Sequence, residues 1–157
     1  MSRNLSPSAY QAIHASETDE AFLILLTIDH EGFSQPIRVS SDAVDTISRG
    51  ESFVTFPFEL NLPDDREGQS PRASLIIDNV SREVVQALRD ISSAPTVLME
   101  IVCGSDTDVV EASFPDFKLI NVKYNALTIQ GELTIEDFSA EPYPSGQFSP
   151  ADFPSLF

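Results

Sequence analysis

The chain offers few groups that could do chemistry, and the spacing of each limits what it can do. The stretch IDHEG sets Asp29, His30 and Glu31 side by side, a carboxylate and imidazole set that a metal ion could use. The residues before them are strand formers, and consecutive side chains of a strand point to opposite faces, so the three cannot converge on one ion. The other histidine, His14, falls in an N-terminal helical segment. A turn with solvated charges explains IDHEG better. SDTD (105–108) and DDRE (64–67) are acidic loops without the glycine and terminal glutamate spacing of a calcium loop. Cys103 lies within an apolar strand, where a thiol is expected to be inert filler. As the single cysteine it excludes an intramolecular disulfide and any cysteine-only metal or iron–sulfur site. No G-x-S-x-G, H-E-x-x-H or phosphate-cradling glycine loop occurs. Neither a cofactor nor a metal is expected, and nothing in the residues argues for an enzyme.

Charge narrows the partners. Against 9 Lys and Arg stand 25 Asp and Glu, a formal charge of −16. Such a surface repels phosphate backbones, so no sequence-specific nucleic-acid binding is expected. The longest apolar run, AFLILL, is far shorter than the roughly 20 residues a spanning helix needs, so membrane insertion is not expected either. The N-terminal MSRNLSPSAYQAIHASETDE lacks a basic segment followed by an apolar core, which points to a soluble product of a cytoplasm. Seven arginines against two lysines leave two readings for Arg38, Arg49, Arg72, Arg82 and Arg89. They form ion pairs within the chain, or some of them, with Arg38 and Arg49 as candidates, reach bidentately to carboxylates of a neighbouring subunit.

The elements that must position these groups are mostly strands. Ser6 caps and Pro7 opens a helix in SPSAYQAIHAS, with Ala9, Ile13 and Tyr10 toward one face. EAFLILLTIDH is apolar on both faces, as in a buried strand, and QPIRVSS reads as an extended arm or edge strand because Pro36 cannot donate to a ladder. In SFVTFPFELNLP, Val54, Phe56, Phe58, Leu60 and Leu62 alternate onto one face. RASLIID turns Ala73, Leu75 and Ile77 inward. The period then switches in NVSREVVQALRDI, where Val80, Val84, Ala87, Leu88 and Ile91 recur at helical spacing. TVLMEIVCG reads as a central strand, VVEASF and FKLINVKY as two shorter ones, and ALTIQGELTIEDF as a strand with Leu127, Ile129, Leu133 and Ile135 inward. The expected fold is mainly β (α+β): a β-sandwich or split β-barrel of about seven or eight strands with one packed helix near 80–92. An N-terminal helical arm (1–20), a β-rich core (21–138) and an extended C-terminal arm (139–157) divide the chain.

That last arm, EPYPSGQFSPADFPSLF, alternates Pro142, Pro144, Pro150 and Pro154 with Tyr143, Phe148, Phe153 and Phe157. Prolines lower the entropy lost on docking, and the aromatic rings suit pockets on a neighbouring subunit. These eight residues are the leading candidates for inter-subunit contact; the other reading is that the arm folds back onto its own sheet.

Three stretches in order resemble one family. They are IDHEGFSQPIRVSSDAVDTISRGESFVTFPFELNLPDD, ASLIIDNVSREVVQALRDI and the P-Y-P then F-x-P-x-x-F-P ending. The resemblance is to a domain of unknown function of tailed bacteriophages and prophages, encoded among tail genes near the tape-measure protein and a tail peptidase. It covers roughly residues 3–157. It implies a split β-barrel or sandwich like those of tail-tube and hub proteins. It also implies a structural role in the tail tip of the virion, as a hub-like or distal ring protein. The ring would hold three copies rather than six and contact the tube, distal tail, hub and tape-measure proteins, after synthesis in the host bacterial cytoplasm. Two other readings stay open: a tail assembly factor or chaperone, and a module that binds the host surface.

Overall fold

A computed structural model describes residues 5–61, 72–78, 82–91, 93–125 and 128–135. In chain order the elements are α1 (Pro7–His14), β1 (Phe22–Asp29), β2 (Ile37–Ser40), β3 (Thr46–Ser48), β4 (Glu51–Thr55), β5 (Phe58–Asn61), β6 (Arg72–Asp78), α2 (Arg82–Asp90), β7 (Thr96–Cys103), β8 (Asp106–Tyr124) and β9 (Thr128–Ile135). The fold is mainly β, as expected, with two short helices among the described residues. All nine strands belong to one mixed sheet in the order β3-β4-β2-β1-β7-β8-β9-β6-β5.

That sheet does not lie flat. Only Phe56 and Pro57 separate β4 from β5, yet the two strands stand toward opposite ends of the order. β4 pairs parallel with β2 through Val39↔Val54 and Ser40↔Thr55, and β5 pairs antiparallel with β6 from Phe58↔Ile77 to Asn61↔Ser74. At the pivot the Phe56 N–H donates to the Ser40 carbonyl (3.4 Å), and the Asp78 N–H donates to the Pro57 carbonyl (2.8 Å). One kinked strand thus ties the two ends of the sheet together, as in a split barrel. One apolar cluster runs from Val39 of β2 across β1, β7, β8 and β9 to Ile77 of β6.

The inner cluster gathers Leu26, Ile28, Leu75, Val97, Leu119, Ile129 and Leu133, and α2 packs Val85 and Leu88 against it. A second, smaller cluster of Leu23, Leu25, Phe53 and Val102 occupies the outer face of β1 and β7. β1 is therefore buried on both sides, with Leu25 and Leu26 both at 0% exposure, which is why its sequence shows no alternation. Ala73, Leu75 and Ile77 of β6 are buried as the alternation requires.

Four expectations need correction. QPIRVSS is not an edge strand: β2 lies between β4 and β1, and Pro36 ends just before its first residue, where no ladder donor is needed. SFVTFPFELNLP is two strands. In β4 it is Phe53 that is buried while Val54 is exposed, and the inward face passes to Phe56, Phe58 and Leu60 at the Phe56–Pro57 kink. VVEASF and FKLINVKY are one long strand, β8, in which Pro115 falls at a bulge: Met99 pairs with Phe114 but Val97 with Phe117. A bulge absorbs the missing N–H, and Asp116 takes a φ of 69° there. Finally β3 had no sequence signal of its own. It is built by the Arg49–Gly50 turn, whose positive φ values of 53° and 80° make the two-residue type I′ hairpin that joins it to β4.

Gly131 of β9 is required by close approach. A Cβ there would stand 2.6 Å from Cδ1 of Leu119, itself only 1% exposed, and 3.3 Å from the Ile120 carbonyl. Gly131→Ala is expected to destabilise the fold by about 1–3 kcal/mol through overpacking, measured by urea unfolding.

Candidate functional site

The polar groups that the fold does bring together lie on the outer face of β1, β7 and β8, under two peripheral elements. Glu100 sits on β7 directly opposite Leu25 of β1 and is 6% exposed. A carboxylate held in that position needs strong donors. They come from Arg49, whose Nη1 donates to Oε1 at 2.8 Å and Nη2 to Oε2 at 2.5 Å. Glu100, followed by the desolvation that opposes it, moves the Arg49 guanidinium net upward from its ordinary pKa. Arg49 stands in the turn of the β3–β4 hairpin, so this fork draws the hairpin across the outer face and lowers Phe53 onto the small cluster. Ser48 Oγ donates to the Thr107 carbonyl (2.6 Å), Thr107 Oγ1 donates back to the Ile47 carbonyl (2.7 Å), and the Arg49 N–H donates to the Asp108 carboxylate. Beneath the hairpin the hydroxyls of Ser40 and Thr46 share a buried hydrogen bond of 2.8 Å.

The second buried acid is Glu111 of β8, 3% exposed. Ile101 pairs with Ala112 and Val102 with Val110, so Glu111 is the extra residue of a bulge. Bulges re-aim side chains, and this one sends the carboxylate to the start of α1. The Ser6 N–H donates to Oε2 at 2.7 Å and the Ser6 hydroxyl to Oε1 at 2.6 Å. Ser6 is also the N-cap, its Oγ accepting from the Ala9 N–H at 3.1 Å, as the S-P signature anticipates. Ala9 is fully buried, but Tyr10 and Ile13, read from sequence onto the same face, are 58% and 53% exposed.

Cys103 lies 3.8 Å from Glu111 Oε1 and is 1% exposed. Burial first, then the Glu111 and Glu20 carboxylates, pushes its thiol from 9.0 up to about 11. A thiol with a raised native pKa contributes stability that is present below the unfolded value and is lost as pH rises through the native one. Unfolding free energy is therefore expected to fall between about pH 9 and 11, and Cys103→Ala to flatten that slope. At pH 7 the native thiol should resist iodoacetamide and react only on unfolding.

The other residues singled out from sequence are dispersed. Arg38 pairs with Glu51 within the chain at 3.2 Å, and Arg49 with Glu100, so both guanidinium groups have intramolecular partners. His30 closes the β1 turn: Nε2 lies 2.6 Å from Ser93 Oγ and Nδ1 accepts from the Gly32 N–H at 2.9 Å. In the SDTD loop the Ser105 hydroxyl (2.6 Å) and N–H (3.0 Å) donate to Glu20, whose carboxyl they hold below its ordinary pKa. Among the described residues no three His, Cys, Asp or Glu side chains stand where they could hold a metal. The DDRE loop and the arm candidates Pro142, Tyr143, Pro144, Phe148, Pro150, Phe153, Pro154 and Phe157 lie outside the described residues.

Sequence reading passed over Glu100 and Glu111. A glutamate inside VLMEIVC, a run apolar on both faces, was the available signal, because such a position leaves it buried and in need of a partner. The arrangement clamps two peripheral elements to the barrel through two engaged carboxylates.

The pattern of the DUF1833 family matches residues 8–148. The chain belongs to that family. DUF1833 is a domain of unknown function, and the match takes in α1 from its second residue, α2 and every strand among the described residues. No curated protein matches this DUF1833 chain.

Proposed function

We propose that the protein is a non-enzymatic structural component of the tail tip of a long-tailed bacteriophage, a hub-like or distal ring protein that closes a homo-oligomeric ring at the end of the tail tube. Three copies are favoured over six. The observation that carries the reading is the kinked strand across 51–61, which closes a curled sheet with α2 packed on its core. That is the architecture the resemblance to tail proteins implies, and it supports the reading by analogy of fold. The clamps at Glu100 and Glu111 suit a rigid building block, and the acidic surface suits a lumen through which DNA passes without adhering. Inter-subunit contact falls chiefly to the aromatic residues of the C-terminal arm, since Arg38 and Arg49 have partners in their own chain.

The test is to quantify this chain by mass spectrometry in purified virions against the major tube protein. A few copies per particle, in a multiple of three, are expected, and deletion of residues 142–157 should then yield tailless or tip-defective particles. Complete absence from the particle would overturn the structural reading and leave an assembly factor.

A further inference from the structure

We infer that α1 is an exchangeable strap, and that in the ring it seats on Glu111 of a second copy of the chain. The inference rests on the self-assembling reading above and gives it a contact. Hydrogen bonds among the described residues tie α1 to the body at its start and beyond the linker that follows it. At one end Ser6 donates twice to Glu111 and Ala9 is buried. At the other, beyond the linker, the Gly104 N–H donates to the Ala21 carbonyl (2.7 Å) and Ser105 to Glu20. Between them residues 15–19 are exposed, and the linker borders a hollow of ≈ 740 Å³ that Gln11, Thr18, Glu20 and Ser105 help to line.

The helix also packs the wrong way for a settled surface element. It buries Ala9 and turns the larger Tyr10 and Ile13 to solvent. Exchange would place those two side chains between neighbouring bodies, where burial is favourable. Charge points to another copy as the occupant. Two chains of −16 repel through most of their surfaces, but residues 4–16 form the longest stretch without Asp, Glu, Lys or Arg. The strap can cross to an acidic neighbour without carrying like charge, and it brings the two donors that the buried Glu111 carboxylate requires. Because the same contacts form within or between copies, exchange costs little beyond linker extension.

The full-length chain with Gln11 replaced by photoreactive p-benzoylphenylalanine, mixed in ordinary and heavy-isotope forms before assembly, reads the contact directly. Cross-links to the 104–105 turn joining peptides of unlike isotope are expected, at about half of all linked pairs in an equal mixture. Cross-links confined to like isotope would overturn the inference, as would a chain that stays monomeric in light scattering at every concentration. Glu111→Gln takes away the seat of α1 and should cut the unlike-isotope cross-links to the 104–105 turn at least about tenfold. Should that variant fail to fold, Ser6→Ala removes one donor, leaves the carboxylate intact and should lower the yield of those cross-links in the same direction. An unchanged yield of unlike-isotope cross-links in a folded variant also overturns the inference. None of these outcomes depends on whether the chain is found in virions, so failure here is separable from failure of the tail-tip reading.

Discussion

Phe53→Ala will lower the free energy of unfolding by about 3–5 kcal/mol, whereas Val54→Ala, one residue on, will change it by less than about 1 kcal/mol. Phe53 is 2% exposed and packs with Leu23, Leu25 and Val102 on the outer face of the sheet. Truncation leaves a cavity that the pinned hairpin cannot collapse to fill. Val54 is 42% exposed and loses little. Paired urea titrations decide the matter. Equal effects, or a larger one at Val54, would mean that the strand does not change its buried face at Pro57, and the closure of the sheet through 51–61 would fall with it.

The second large effect is expected at the Arg49 fork. Arg49→Met strands a carboxylate that is 6% exposed among apolar neighbours, and losing one partner of a buried pair costs about 3–5 kcal/mol. The Arg49 side chain is 42% exposed, so water can reach part of the vacated space, and the lower figure of about 2–3 kcal/mol is expected. Removing both charges in Arg49→Met/Glu100→Leu should recover most of that loss, because it abolishes the desolvated charge along with its partner. A double variant no more stable than Arg49→Met would show that the hairpin depends on the ion pair itself. Loosening of the hairpin should appear first as faster amide exchange at Thr46, Ser48 and Phe53, ahead of the barrel strands.

Much of the fold was legible one strand at a time. Ala73, Leu75 and Ile77 alternate because one face of β6 meets the core, and the helical spacing of Val84, Leu88 and Ile91 holds because all three pack on the same core, where Val85, which the spacing did not pick out, joins them. Ser6 and Pro7 announce α1 because capping is a local affair of neighbouring backbone groups. In β1 and β7 the absence of alternation was itself the message, since burial on both faces leaves no polar side to mark.

What sequence could not decide were the pairings. Alternation states that a strand has an inside but not which neighbour supplies it, so Val54 looked equivalent to Phe58 until Pro57 was seen to pass the chain from β2 to β6. Nor can a pattern announce a bulge, which depends on two strands in register, and it is a bulge that turns Glu111 toward Ser6. Arg49 shows the division at one residue. Beside Gly50 its place in a tight turn is a local matter, and its charge is evident from composition. Its partner Glu100 lies 51 residues away, brought within 2.8 Å only because the hairpin folds back over β7. Composition and period thus determine that this is an acidic, mainly β chain with one packed helix and few reactive groups. Only the tertiary structure, through contacts between segments distant in sequence, closes the sheet and decides which carboxylates are buried and what they hold.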